Sequence, residues 1–260
     1  MKNTPVHNNP KKYDSIYSLG INCACAEYLR KNYLRKWSGP LDWVGSDDVY
    51  APFKTILDEF RLFLDFSYLH KSEDGHALNV TWKHAQNQYR FVHDFFKTGN
   101  EAEQKQSVLQ KYQRRVSRLL ADLTAPKRVL FVWYGEDGSV MNPNEVVAYV
   151  RKIRQKYQAH IDFLFIMYEA PDNSAALLPD EIEKGIWFYR LPKTSLANRQ
   201  DGYLRWDSPC IEAILSTVAL AQKQKTWWVT LRKVGYQVLG AFIWNRSKRH
   251  KFMEDHVRNQ

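Results

Sequence analysis

Two continuous apolar runs of strand length constrain the fold of this chain most. They cover Arg128–Tyr134 (RVLFVWY) and Ile161–Tyr168 (IDFLFIMY), and the segment between them, around 144–157, has helical periodicity. Runs of this kind are typical of parallel strands that are buried on both faces. A further run at Ile186–Leu191, followed by a predicted helix over 208–224, continues the alternation. The pattern predicts right-handed βαβ crossovers in a layered α/β fold, with a mainly parallel sheet flanked by helices.

The length of 260 residues and the hydrophobic content of 44% suffice for one buried core, so we expect a single domain. Residues 1–12 are polar and contain Pro5 and Pro10, which predicts a flexible tail. The α/β domain then covers 13–225. Tryptophans and basic clusters in 226–260 indicate a helical C-terminal extension.

The first half of the chain predicts further helices and two short strands. Helices are indicated at Cys23–Lys36, Asp47–Phe66 and Glu101–Leu123 by apolar residues at helical spacing. The region between the second and third helices is rich in loops, with strand candidates at His76–Trp82 and Gln88–Phe91. The predicted elements do not determine the order of the strands in the first half of the chain.

The charge of the chain restricts its partners. Lys and Arg number 38 against 28 Asp and Glu, and the net charge of +10 favours phosphates, anionic glycans or peptides, or an anionic membrane surface. Neither an apolar signal-peptide region nor a run of 18 apolar residues is present, so we expect a cytoplasmic protein. Nucleic acid is the weaker interpretation, because no helix-turn-helix, RNP or zinc-finger pattern occurs.

Three cysteines are too few for a disulfide framework, and their spacing does not match a zinc site. The glycine-rich motifs that cradle nucleotide phosphates are also missing from the sequence. We therefore predict reduced thiols, no metal and no cofactor.

The segment 226–251 combines tryptophans with two basic clusters around an uncharged stretch that is too short to span a bilayer. Such a segment is typical of a helix that lies in the membrane interface, which would place the protein at the inner face of the membrane. The alternative is a helix that docks on the domain.

The strand-like run that starts at Tyr13 breaks at Gly20 and delivers Cys23 to the start of a predicted helix, with Asn22 as a plausible N-cap. A thiol in the first helical turn lies beside unpaired N–H groups and the positive end of the helix dipole, which favour the thiolate. Cys23 is thus a candidate nucleophile. The alternative is a small packing residue, and Cys25 is interpreted as part of the core.

Four short motifs carry a resemblance to a known family. They are Ser18-Leu19-Gly20-Ile21-Asn22-Cys23, Ser38-Gly39-Pro40-Leu41-Asp42-Trp43, His93-Asp94-Phe95 and Tyr112-Gln113-Arg114-Arg115. Over about 13–210 the chain resembles a bacterial family of unknown function that is described as papain-like cysteine peptidases. Leu41 stands where relatives usually have Phe in the Pro-Phe-Asp-Trp block.

The resemblance implies a cysteine hydrolase that works by acyl transfer. It nominates Cys23 as nucleophile and His93 as general base, with Asp94 or Asp42 as the group that orients the imidazole. A structural histidine bonded to a backbone carbonyl is the alternative for His93. For Asp42 the alternative is a carboxylate that caps N–H groups in a turn.

Gly20 and Asn22 follow the end of a predicted strand, and with Asp42 they are the candidates for the oxyanion hole or cleft. The Cys23 backbone N–H and the Asn22 amide could donate to an oxyanion during acyl transfer. In a parallel sheet the cleft is expected where strands end, here after Ser18, after Tyr134 and after Tyr168.

Arg114 and Arg118 lie one turn apart in a predicted helix. Such residues usually form a solvated face, but planar guanidinium groups also bind carboxylate or phosphate, so both are candidates for anion binding.

Two other function classes remain open at this stage. The basic charge, an aromatic cleft and the C-terminal segment also fit a transferase that modifies a surface polysaccharide. A binding protein of the same fold, without catalysis, is the third.

A papain-type enzyme carries its histidine on a mostly antiparallel sheet, whereas 128–191 predicts parallel strands. We therefore expect any Cys–His pair to lie on a different scaffold from papain's.

Overall fold

A computed structural model describes residues 10–72, 79–135, 141–170, 179–192 and 209–221. It is a mixed α/β structure in which several sheets are flanked by helices. The strands are β1 (Lys11–Tyr13), β2 (Ser15–Ser18), β3 (Val44–Ser46), β4 (Leu69–Lys71), β5 (Asn79–His84), β6 (Tyr89–Phe96), β7 (Arg128–Gly135), β8 (His160–Ala170), β9 (Asp180–Glu183), β10 (Ile186–Pro192) and β11 (Val218–Leu220). The helices are α1 (Ala24–Lys31), α2 (Ala51–Leu57), α3 (Glu101–Thr124), α4 (Pro143–Lys156) and α5 (Pro209–Leu215), with a 3₁₀ turn at Phe66–Tyr68.

The central sheet has five strands in the order β2-β7-β8-β10-β9. All neighbours are parallel except the edge strand β9, which pairs antiparallel with β10. β7 and β8 run in register from Arg128 opposite His160. The strands predicted from the apolar runs at 128–134, 161–168 and 186–191 are confirmed, each with slightly wider bounds.

The inner strands of the central sheet are buried on both faces because their side chains alternate between two apolar clusters. Phe131 and Phe163 point into a cluster that α2, α3 and α4 also line, and Phe53 of α2 stacks on Phe163. Leu130 and Val132 point the other way, toward α1 and α5. This double burial explains why the strands read as continuous apolar runs.

A second sheet is antiparallel, with the strand order β3-β6-β5-β4. It packs on the same cluster as Phe131, through Trp82 and Phe91. The chain thus contains both a mainly parallel sheet, as the periodicity predicts, and a separate antiparallel sheet that carries His93 in β6. The parallel and the antiparallel sheet are formed by different strands.

The helix predicted over 47–66 is wrong in its second half. The helix that forms, α2, ends at Leu57, and Glu59 and Phe60 then adopt left-handed backbone angles, with φ of 55° and 62°. The apolar residues that continue the helical spacing, such as Phe63, instead pack in the core beside the antiparallel sheet.

Two other predicted helices are too long. The one over 23–36 is observed as α1, which ends at Lys31 and turns at Tyr33. The one over 208–224 is observed as α5, which ends at Leu215.

The chain then forms β11, which pairs parallel with β1 in a sheet of two strands. Lys11 and Lys12, which the sequence analysis assigned to the N-terminal tail, therefore lie in a strand.

The C-terminal extension predicted over 226–260, including the segment 226–251, lies outside the described residues. None of the helices in the described ranges combines the length and apolar character needed to cross a membrane.

Candidate functional site

The segment that carries Cys23 leaves the central sheet at the carboxyl end of β2. The Leu19 N–H still donates to the carbonyl of Val132 in β7, at 2.8 Å. The chain then turns, and Cys23 occupies the N-cap position of α1. The thiol is thus placed at the positive end of a helix dipole, in a half-buried position.

Gly20 makes this turn possible. Its φ is +59°, a left-handed conformation that side chains disfavour. A Cβ atom at Gly20 would lie 2.3 Å from the carbonyl oxygen of Leu41. The Gly20 N–H also donates to the Ser18 hydroxyl, at 3.1 Å. Gly20 therefore shapes the loop through its backbone, by a close approach to the segment that precedes Asp42.

Asn22 organises the start of α1. Its side-chain oxygen accepts a hydrogen bond from the Ala24 N–H at 2.9 Å. This bond fixes the plane of the amide, so Nδ2 is the end of the side chain that can donate to another group. The sequence predicts Asn22 as the N-cap, whereas the N-cap residue is Cys23, and Asn22 accepts its hydrogen bond from one residue before that position.

The two cysteines of α1 differ in environment. Cys25 is buried, its thiol donates to the carbonyl of Val132 at 3.2 Å, and burial raises the pKa of this thiol to about 12. Cys23 is only half-buried, as is Cys210 in α5. Because a thiolate is the reactive form, Cys25 is unsuited to nucleophilic chemistry and Cys23 is the reachable thiol of this helix.

His93 lies in β6, at a half-buried position, and its ring meets Trp43 edge to face with centroids 6.1 Å apart. Trp43 immediately precedes β3, which pairs with β6. The indole of Trp43 is in turn covered by the Arg35 guanidinium, at 5.5 Å. The imidazole thus packs against an indole that immediately precedes the edge strand β3.

One backbone hydrogen bond connects the cysteine loop to this sheet. The Ser46 N–H in β3 donates to the carbonyl of Ile21, at 3.2 Å. Ile21 is two residues from Cys23, and β3 lies beside the strand of His93. The loop of the candidate nucleophile and the strand of the candidate base therefore share β3 as a common neighbour.

Asp94 follows His93 in sequence, but its carboxylate is bonded to residues of α3. Its carboxylate accepts a hydrogen bond from the Tyr112 hydroxyl at 2.7 Å and forms an ion pair with Lys111. Burial alone would raise the pKa of Asp94, but Lys111 and Arg115 outweigh it and hold the pKa below its usual range. The carboxylate thus connects β6 to α3, at a point where the pairing of β6 with β5 is irregular.

Asp42 is buried in the loop before β3. Its carboxylate accepts hydrogen bonds from the Arg35 guanidinium and the Gly39 N–H, both at 2.9 Å. Burial raises the pKa of Asp42, against the opposing effect of Arg35 and Arg115. This geometry matches the turn-capping alternative for Asp42, whose side chain is 1% exposed.

Arg114 and Arg118 lie on the outer face of α3, on a groove described below. The other two strand ends that were expected to form the cleft, after Tyr134 and after Tyr168, lead into 136–140 and 171–178, which are outside the described residues. Within the described ranges, no group of three or more His, Cys, Asp or Glu side chains is arranged to hold a metal ion.

The comparisons with known proteins bear on these motifs. A family profile with the description "Putative papain-like cysteine peptidase (DUF1796)" matches residues 14–170. The chain belongs to this papain-like peptidase family. Neither the curated proteins nor the solved structures contain a significant match. The family segment includes both Cys23 and His93 and ends at the end of β8.

Sequence reasoning missed one charged residue beside the cysteine loop of this papain-like family member. The Arg90 guanidinium lies over Gly45 of β3, where a Cβ would be 3.3 Å from Nε of Arg90 and 3.6 Å from the Ile21 carbonyl. Arg90 also forms an ion pair with Asp47 at 2.9 Å. Only the pairing of Gly45 with Arg90 across the two strands brings these groups together, and the sequence contains no signal for that register.

Proposed function

We propose that this protein is a cysteine hydrolase, most simply a peptidase, that acts through a thioacyl intermediate on Cys23. The observation that carries the proposal is the position of Cys23 at the N-terminus of α1, on a loop whose Ile21 carbonyl is bonded to the sheet of His93. Membership of the papain-like peptidase family supports the same chemistry.

In the proposed reaction His93 accepts the thiol proton of Cys23, and the thiolate attacks the carbonyl carbon of a peptide or ester. The Cys23 backbone N–H and the Nδ2 group of Asn22 stabilise the oxyanion. The imidazolium of His93 then gives its proton to the leaving amine or alcohol. Water, deprotonated by His93, hydrolyses the thioester, which releases the acid and restores the thiol.

The imidazole is oriented by packing in this proposal. Trp43 packs against the imidazole at nearly a right angle, while the Asp94 carboxylate is bonded to Lys111 and Tyr112. Asp42 acts indirectly, since it fixes the turn from which Trp43 extends.

The net charge of +10 favours anionic substrates, such as acidic peptides or substituted anionic glycans. Peripheral contact of residues 226–251 with the inner face of the membrane stays part of the proposal, and the cytoplasm is the proposed compartment.

The proposal is tested by the pH dependence of Cys23 alkylation with iodoacetamide, read by peptide mass mapping. An activated thiol is expected to react with a midpoint clearly below the ordinary cysteine pKa of about 8.5. Replacing the base, in His93→Gln, is expected to raise that midpoint toward the ordinary value. Cys210 serves as an internal control, because it is also half-buried and also lies in the first turn of a helix, α5, so a lower midpoint at Cys23 is not explained by a helix N-terminus alone.

A second readout follows the acyl step itself. Incubation with p-nitrophenyl acetate is expected to leave an acetyl group on Cys23 of the wild type and none on that position of Cys23→Ser. The proposal is abandoned if Cys23 and Cys210 share one pH profile that His93→Gln does not alter and no acetyl group is found on Cys23. Circular dichroism confirms that each variant is folded.

A further inference from the structure

A groove of about 720 Å³ runs along the outer face of α3. The described residues that line it are Gln110, Gln113, Arg114, Ser117 and Arg118. Their spacing places them on one stripe of the helix, about 12 Å long, and each ends in a hydrogen-bonding group. The stripe offers two guanidinium groups, two amides and a hydroxyl, and it contains no acidic side chain.

The two arginines differ from the lysines of α3 and of the segment that follows it. Lys111 is paired with Asp94 and Lys127 with Asp122. In the part of the chain that the structure describes, neither Arg114 nor Arg118 forms a salt bridge with a carboxylate. The groove therefore carries positive charge that its described lining does not neutralise.

Arg118 is held in place by its neighbours. Its Nε–H donates to the Arg114 carbonyl at 3.3 Å, and its guanidinium lies 5.8 Å from the ring centroid of Trp37. The remaining N–H groups of the guanidinium form the fork that recognises carboxylate and phosphate. A guanidinium fixed in this way loses less side-chain entropy when it binds an anion.

Like charges crowd this face of α3. Burial, followed by the neighbouring Arg115 and Arg114, lowers the pKa of Arg118. Arg115 itself points inward, where it interacts electrostatically with Asp42 and Asp94. An anion in the groove would offset the repulsion between Arg114 and Arg118, because opposite charges within a few ångströms favour the charged form.

We propose that this groove binds an oxyanion, the phosphate or carboxylate group of a hydrophilic ligand, through forked hydrogen bonds from Arg114 and Arg118. Gln110, Gln113 and Ser117 bind polar groups next to the anion. The site is separate from the chemistry proposed for Cys23, and its existence does not depend on that chemistry.

Binding of inorganic phosphate and of glucuronate, each measured by isothermal titration calorimetry and by thermal shift, tests the proposal. The wild type is expected to bind at least one of them, and Arg114→Gln/Arg118→Gln is expected to weaken that binding by about tenfold or more, as for lost charge-assisted hydrogen bonds. Preference for phosphate or for glucuronate then identifies the phosphate or the carboxylate as the group recognised.

The matched control is Arg30→Gln/Arg61→Gln, which removes the same net charge from two exposed arginines that are paired with Glu27 and Asp58. This control is expected to bind like the wild type. Arg118→Lys keeps the charge but not the fork, so intermediate binding is expected. Failure of the wild type to bind either anion overturns the proposal, as does an equal loss in the control.

Alkylation of Cys23 is measured on the same variants. It is expected to be unchanged in Arg114→Gln/Arg118→Gln, which also shows that this variant is folded. A failure of anion binding is thereby distinguishable from a failure of the proposed thiol chemistry.

Discussion

Gly20 lies against the carbonyl oxygen of Leu41, so close that a methyl group on its α-carbon would be 2.3 Å from that oxygen. This contact joins the loop that leads to Cys23 to the segment that leads to Trp43, and Trp43 packs on His93. The loop of Cys23 and the segment of Trp43 are therefore positioned by a close contact between their backbones. A side chain at Gly20 would force these two segments apart.

Gly20→Ala is expected to destabilise the fold more than Gly99→Ala, by roughly 1–3 kcal/mol. Both glycines have positive φ, +59° at Gly20 and +107° at Gly99, but a Cβ at Gly99 would meet only a side-chain atom, Nε2 of Gln104, at 3.2 Å. Because the φ of Gly99 disfavours a Cβ at least as strongly as that of Gly20, a greater loss at Gly20 is due to the contact with Leu41. Urea unfolding measures it, and equal losses in both variants would contradict the close approach.

The buried ion pair between Arg35 and Asp42 gives a second prediction. Both side chains are 2% exposed or less. Asp42→Asn leaves the Arg35 charge without its buried partner, which is expected to cost about 3–5 kcal/mol of unfolding free energy. Chemical denaturation measures the loss.

Asp48→Asn provides the control for this experiment. The Asp48 partner, Lys54, is 55% exposed, so the same substitution there should cost about 0–1 kcal/mol. A loss at Asp42 no greater than the loss at Asp48 would show that Arg35 finds another partner or water.

Acid stability depends on Asp94. Because the pKa of the folded-state carboxyl lies below its ordinary value, the folded protein binds fewer protons than the unfolded chain around that value. The stabilisation is present above about pH 4 and is lost as the pH falls through the folded-state pKa. Lys111→Gln is expected to lower stability at neutral pH and to flatten this acid dependence.

Urea midpoints measured over a pH series test this expectation. Lys97→Gln, at an exposed position just after β6, is the control and should retain the wild-type slope. If Lys111→Gln retains that slope as well, the ion pair does not set the pKa of Asp94.

The long, regular elements could be predicted from the sequence and the short ones could not. The helix predicted over 101–123 is observed as Glu101–Thr124, since Asn100 caps its start and apolar residues follow one face. Strands of three residues such as β3 and β4 are too short to show a period. The helix α2 ends at Leu57, and left-handed Glu59 and Phe60 follow, although the apolar spacing favours a helix through this segment.

For the candidate site, too, local features could be predicted from the sequence and long-range contacts could not. A cysteine at the start of a helix is a local feature, so Cys23 could be identified from its neighbours in sequence. The pairing of Asp94 with Tyr112 and the bond between Ile21 and Ser46 depend on how distant segments pack. A motif that places Asp94 beside His93 in sequence therefore suggested a partnership, whereas the carboxylate of Asp94 is bonded to Tyr112 and Lys111 of α3.

Cys25 is expected to resist alkylation in the folded protein. Its buried thiol has a pKa of about 12 and donates to the Val132 carbonyl, so little thiolate is accessible at neutral pH. Peptide mapping after iodoacetamide treatment should find Cys25 modified only when urea is present. Modification of Cys25 in native buffer at the rate of Cys210 would show that α1 opens readily.

Tyr33 occupies a backbone conformation that favours glycine. Its φ is +58°, and the Leu34 N–H donates to the Leu29 carbonyl at 2.9 Å, which closes the end of α1 in the manner of a Schellman motif. The Tyr33 side chain is 75% exposed, so little packing offsets the strain. Tyr33→Gly is therefore expected to stabilise the fold by about 1 kcal/mol.

Tyr33→Ala separates backbone strain from the loss of the aromatic ring, because alanine retains the Cβ that disfavours positive φ. It should be no more stable than the wild type in urea unfolding, whereas Tyr33→Gly should be more stable than both. If Tyr33→Gly is instead less stable than the wild type, the exposed ring makes contacts that outweigh the strain. In that case Tyr33→Ala should lose stability too, since it lacks the same ring.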